Sequence, residues 1–301
     1  DPSNPVEGQI WYNTSTNRVK GFGKSTAATW STGGDLNTGR EIFGTAGIQT
    51  AALVFGGSSG QTEAYNGSNW TELNQMNVDR QTAAGAGTQT AALAMGGVEG
   101  SEGITELWNG TNWTAVNAMN SGKTQLAGGG TTTSAIAMGG DGQSGPTNET
   151  ELYNGSNWTE VNNLNTARKR LSGVAATNTA ALAFGGTPPL TAITENWNGT
   201  NWTEVNDLNL ARQQMGSAGT NTAALAIGGS GPAGPSTPGT TEQWNGTNWT
   251  EVAILNQAGS GIGGAGTTSA AIAAGRDDPP TAATEEFNAA GSPTTVTFTD
   301  S

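Results

Sequence analysis

Apolar positions along this chain fall in short runs that end on glycine and never build a long stretch. The run recurs six times, as AALVFGG at 51–57, AALAMGG at 91–97, SAIAMGG at 134–140, AALAFGG at 180–186, AALAIGG at 223–229 and AAIAAG at 270–275. A continuous apolar run of this length closed by glycine predicts a strand covered on both faces, because it is too short for a buried helix. Ahead of the second copy, QTAAGAGT after Arg80 offers only small side chains and Gln, suited to a strand at a crowded axis where sheets converge. After it, TELWN at 105–109 alternates, with Glu106 and Trp108 on one face and Leu107 on the other. Asn109-Gly110 then reads as a two-residue type I′ hairpin turn, since both residues tolerate positive φ. The next segment, NWTAVN, carries Trp113 where it can pack between neighbouring units. Each unit therefore predicts four short strands.

Trp70, Trp113, Trp158, Trp202 and Trp249 recur 43 to 47 residues apart, a period that suits four strands with their connections and no separate domain. Units that cannot bury their faces alone must stack, and six of them should close into a ring. The sixth copy of the second signature, TEEFN at 284–288, is degenerate. The expectation is an all-β propeller of six four-stranded blades, the ring closed by N- and C-terminal strands. TWSTGGDLNTGR at 29–40 imitates NWTEVNDLNLAR at 201–212, so the N-terminus could supply the outer strand of blade six. TTVTFT at 294–299 competes for that place by its β-branched content. In that case IWYN, RVKGF and TW would form an extra hairpin or an incomplete seventh blade. The preferred division is an N-terminal hairpin and ring-closing strand over 1–39, and a six-repeat propeller over 40–301.

Paired glycines ending the second strand, an aromatic on the third, a spaced tryptophan on the fourth and a following arginine resemble the kelch repeat. The resemblance covers roughly residues 40 to 300 and implies a kelch-like propeller. The uniform Asn-Gly after the aromatic departs from the usual kelch pattern. The near-identity of the units, with the opening PVEGQIWYNTSTNRVKGF at 5–22, is similar to tail-fibre and other virion proteins of bacteriophages, particularly of marine and cyanobacterial hosts. That similarity implies a virion-surface or extracellular location.

Composition narrows the chemistry. The chain has no histidine and no cysteine, which removes the commonest general base, the commonest metal ligand and the thiol nucleophile together. Copper chemistry of the galactose-oxidase kind needs both residues, and neither the arginine cluster nor the Asp boxes of a sialidase are present. No enzyme activity and no cofactor are expected. A net charge of −13 opposes binding to nucleic acid or to an anionic membrane surface. No run approaches the roughly 20 apolar residues that span a bilayer, so membrane insertion is not expected.

Glu63, Glu106, Glu151, Glu195, Glu242 and Glu285 repeat at one strand position and could form a cation-binding ring. Arg40, Arg80, Lys123, Arg168 and Arg212 repeat at another, and structural pairing between blades is the preferred reading of both sets. The periodic aromatics read as packing, leaving Trp11, outside the repeat, as the candidate for stacking on a sugar. Glycosylation-like triplets at Asn66, Asn69, Asn109 and Asn112 are by-products of the turn chemistry.

The framework repeats agree closely, whereas the connection between the second and third strands varies, with 4, 7, 9, 7, 11 and 8 residues in successive units. All six should emerge on one face, where a propeller places its binding surface. Candidate ligand-binding residues on them are Glu99, Glu102, Asp141, Gln143, Pro188, Pro189, Ser230, Pro232, Pro235, Arg276, Asp277 and Asp278. The expected function is a non-enzymatic surface module that displays these loops to a host-cell glycan or protein receptor, with self-association compatible. The alternatives are a purely structural virion component bound to other virion proteins, and a carboxylate-dependent glycan hydrolase.

Overall fold

The computed structural model describes residues 2, 7–24, 27–57, 59–97, 103–232, 239–277, 279–291 and 293–298. Among them every regular element is a β-strand. Six antiparallel four-stranded sheets form the blades of a β-propeller. In blade two the strands are Ala84–Thr88, Ala91–Met95, Thr105–Trp108 and Trp113–Val116, paired in sequence order. Blade three inserts a small hairpin, Asp141–Gly142 with Gly145–Pro146, between its second and third strands.

The innermost strands line the axis because their side chains are nearly absent. At Gly85 an added Cβ would lie 2.1 Å from the Thr45 carbonyl oxygen of blade one, so only glycine permits that approach. The second strand, buried on both faces as its pattern predicts, carries Leu93 and Met95 at 0% exposure. The cores lie between blades. One of them joins Leu53, Phe55 and Met76 of blade one and its linker to Ala92, Ala94, Trp108 and Trp113 of blade two.

Trp113 fixes this interface in two ways. Its ring meets Phe55 edge-on at 4.9 Å between centroids, and its Nε1 donates to Thr62 Oγ1 of the preceding blade at 2.9 Å. Trp70, Trp158, Trp202 and Trp249 repeat that bond on Thr284, Thr105, Thr150 and Thr194. Burying such a ring is favourable by roughly 1.5–3 kcal/mol, and the Thr acceptor keeps the indole N–H satisfied.

The Asn-Gly hairpins differ from the expected two-residue turn. Trp108 pairs with Trp113, leaving a four-residue loop over 109–112. Asn109 does not take up positive φ; instead its Oδ1 accepts the N–H groups of Thr111 and Asn112, each at 2.9 Å, while Gly110 alone takes φ +92°. The short side chain replaces a backbone acceptor, so only one residue must leave the ordinary region.

Blade six consists of Gly263–Gly266, Ala270–Arg276 and Thr281–Asn288, completed by Thr29–Thr32 from the N-terminus. The C-terminal strand Pro293–Phe298 does not compete for this place. It pairs with Arg18–Lys24, which also pairs with Ile10–Asn13, in a separate three-stranded sheet. There is no seventh blade among the described residues. The two ends thus exchange partners across the division at residue 39.

Candidate functional site

The repeated glutamates do not form an open ring for a metal ion; each is buried against a basic side chain. Glu106 is 0% exposed and accepts from Asn77 N at 2.9 Å, from Asn77 Nδ2 at 2.6 Å and from the guanidinium of Arg80. Arg80 Nη1 meanwhile donates to Gly96 O and Ile104 O, both at 3.0 Å. These carbonyls are the two ends of the variable connection of blade two, so the buried arginine clamps the base of the loop. Burial pushes the Arg80 guanidinium below its ordinary pKa, and the Glu106 carboxylate opposes that shift. Asn77 and Arg80 both belong to the linker entering the blade, so the pairing joins linker to blade. Arg40 with Glu63, Lys123 with Glu151, Arg168 with Glu195 and Arg212 with Glu242 repeat the ion pair. Arg40 and Arg212 also repeat the clamp on both loop-end carbonyls, whereas Arg168 bonds Gly185 O at 2.9 Å and Lys123 Nζ makes no hydrogen bond among the described residues. No cluster of three metal-ligating side chains occurs among the described residues.

Arg276 requires a correction. It is not a displayed loop residue: it is 2% exposed and ion-paired with Glu285. In the sixth unit the basic residue has left its usual place, occupied there by Gly259, and Arg276 replaces the second glycine of the pair that ends the second strand elsewhere. A Cβ on Gly259 would stand 2.8 Å from Arg276 Cδ, so the glycine makes room for the relocated arginine. The exchange is visible once the units are aligned, because this is the one linker without a basic residue.

The other loop candidates divide. Glu99, Glu102, Pro235 and Asp278 lie outside the described residues. Asp141 pairs with Lys169 at 2.7 Å, and Asp277 accepts from Ser260 Oγ at 2.6 Å. Ser230 is bonded through its backbone to Gln213 in both directions at 2.9 Å. Gln143, Pro188, Pro189 and Pro232 are exposed. Trp11 sits on the separate sheet, half-buried and engaged within the protein.

These contacts bring the second-to-third connections and the blade-to-blade linkers to one face. The bridges Thr124 to Asp141, Lys169 to Thr187 and Gln213 to Ser230, with Asp277 N donating to Ser260 O at 2.8 Å, dock four of the loops against the linkers. One residue further along, each linker turns inward to the axis, and there the structure shows a feature the sequence reading missed. Ile42, Thr82, Gln125, Arg170, Gln214 and Gly261, one per blade, all adopt φ between +51° and +66°. Five backbone bonds of 2.7–2.9 Å link them around the axis: Thr82 N to Ile42 O, Arg170 N to Gln125 O, Gln214 N to Arg170 O, Gly261 N to Gln214 O and Ile42 N to Gly261 O. Left-handed conformations at five non-glycine residues are strained, and the circuit of hydrogen bonds holds them. Each lies two positions after the repeated basic residue or Gly259, which was the available signal, but the residue types share nothing.

This crown rims a cavity of about 100 Å³. Beneath the crown the next residues, Phe43, Ala83, Leu126, Leu171, Met215 and Ile262, form a buried apolar ring that narrows the opening. Arg170 is the one cation of the crown. Its Nε donates to Gln125 Oε1 at 3.0 Å, and no carboxylate among the described residues pairs with it.

No protein-family model matches the chain, and no curated protein matches it by sequence.

Proposed function

We propose that this protein is a non-enzymatic recognition module that displays variable loops from a rigid scaffold on the outside of a virion or cell. The observation that carries the reading is the contrast between the two parts of each unit. A repeated framework of buried Trp, Glu and Arg holds six connections of unequal length, and those that dock on the linkers do so on the face where the axial cup opens. Clamped loop bases on a stiff ring reduce the ordering lost on binding. The partner is a host-cell glycan or protein.

The kelch-like assignment rests on the glycine pair, the aromatic, the tryptophan and the arginine of each unit. The bacteriophage assignment rests on repeat uniformity and the opening GQIWYN hairpin. A hydrolase is disfavoured because the six repeated glutamates are buried and held by arginine or lysine, which leaves them unsuited to general acid or base work.

A second reading, a structural virion component, is favoured by the separate sheet. Ile10, Tyr12 and Val19 are 64%, 57% and 41% exposed, and the register places Tyr12 opposite Val19, an apolar face suited to attachment.

The test is binding of the labelled protein to candidate host cells and to a glycan array, beside a variant whose connection over 230–240 is shortened to four residues. Saturable binding weakened by the shortening supports recognition. A folded protein that binds neither, yet attaches stoichiometrically to particles, supports the structural reading instead.

A further inference from the structure

We propose that the axial cup is a binding site for a single carboxylate-bearing sugar residue, with Arg170 as its anchor. The inference rests on the recognition reading and names the ligand class and the place where it is read. In a chain of net charge −13, the linker entering blade four concentrates three cations in sequence, Arg168, Lys169 and Arg170. Two of them are spent on the fold: Arg168 pairs with Glu195 and Lys169 with Asp141. Arg170 is left at the rim of the cavity with only its Nε engaged, by Gln125 Oε1, so the two Nη groups face no acceptor among the described residues. That edge of a guanidinium matches the two oxygens of a carboxylate.

The neighbours of Arg170 complete the site. Gln125 and Gln214 flank it in crown order and Thr82 also lines the cavity, so two amides and a hydroxyl surround the one charge, while the buried Ser172 hydroxyl donates to Met215 O at 2.7 Å. Donors and acceptors of this kind suit the hydroxyls of a sugar ring, while Ile42 and the apolar ring beneath suit its C–H face. A concave site with an apolar floor and a few convergent polar groups is the usual form of a small-ligand pocket. At about 100 Å³ the cavity is smaller than the roughly 300–1,000 Å³ of most small-ligand pockets, so it takes in one part of a single sugar ring and leaves the rest in the open mouth. The overall negative charge selects against polyanions and tolerates one acid at one cation. The strained crown serves to hold these side chains in a fixed circle before any ligand arrives.

The experiment titrates the full chain by calorimetry with D-glucuronate and with N-acetylneuraminate, using D-glucose as the neutral counterpart and the peptide Gly-Glu-Gly as an acid that is not a sugar. Arg170→Gln is the test variant. It should fold normally, because Gln125 and Gln214 already occupy the same left-handed position in the two neighbouring blades. The expected result is one-to-one saturable binding of at least one acidic sugar, weakened by added salt, at least tenfold weaker in R170Q with an unchanged denaturation midpoint, and no saturable binding of glucose. Equal affinity in R170Q, equal affinity for glucose, tighter binding of the peptide, or no binding of either acidic sugar overturns the proposal. If both acidic sugars fail while the protein still binds host cells, the cup is overturned and the recognition reading stands. If cell binding is absent too, both fall.

Discussion

Trp30 Nε1 donates to Thr241 Oγ1 at 2.9 Å, across 211 residues of chain. This is the bond that Trp113 makes to Thr62, now made by a residue from the N-terminus to blade five, and it closes the circle of inter-blade tryptophans. The Asn256 amide adds a bond to Trp30 O at 3.1 Å, tying the closing strand to the linker that enters its blade.

Because the closing tryptophan occupies the same environment as the others, Trp30→Ala and Trp158→Ala should destabilise alike, by roughly 3–5 kcal/mol each. Their exposures, 6% in both, give no reason for a difference. Chemical denaturation monitored at equilibrium checks this. A midpoint for W30A that matched the unsubstituted protein would remove the N-terminal strand from blade six.

Breaking one buried ion pair should hurt more than replacing it. Arg80→Met leaves Glu106 as an uncompensated buried charge and should lower stability by about 3–5 kcal/mol, whereas the double variant Arg80→Met/Glu106→Leu should recover a large part of that loss. A double-mutant cycle on the denaturation free energies reads the coupling. Additive losses would contradict a direct pair.

The relocated arginine of blade six predicts a rescue. Gly259→Arg should destabilise on its own, because its Cβ would press on Arg276 at 2.8 Å. Adding Arg276→Gly restores the pattern of the other five units and should recover stability. Thermal melts of the three variants decide it: a double variant no better than G259R would mean that blade six cannot accept the common arrangement.

Alkaline pH should weaken the fold through Tyr65. Burial, aided by its 2.6 Å bond to Glu286 Oε1, pushes the phenol up to about 12 from an ordinary value of 10.0. The unfolded chain therefore releases this proton first, so the stabilisation is complete below about pH 10 and is lost as pH rises toward 12. Tyr65→Phe should flatten that part of the stability curve. An unchanged slope in Y65F would show that Tyr65 does not carry it.

The strands, their four-fold grouping and the inter-blade tryptophans were legible because they are local patterns copied unit by unit. A run such as AALAMGG specifies a doubly covered strand wherever it occurs, and the Asn-Gly turn follows from side-chain chemistry within four residues, although it closes over four residues where the pair alone predicts two. Tertiary structure alone chose between two strands for closure. TWST and TTVTFT are both competent strands, and only the first carries the tryptophan and flanking groups that meet Thr241 and Asn256. It likewise decided that Arg276 would be buried, since that depends on the empty space at Gly259, a neighbour in the fold 17 residues away in the sequence. The crown lay furthest from reach. Its positive φ angles arise where six linkers converge and bond to one another, a condition set by closing the ring, and residues as different as Ile42, Gln125 and Arg170 meet it equally.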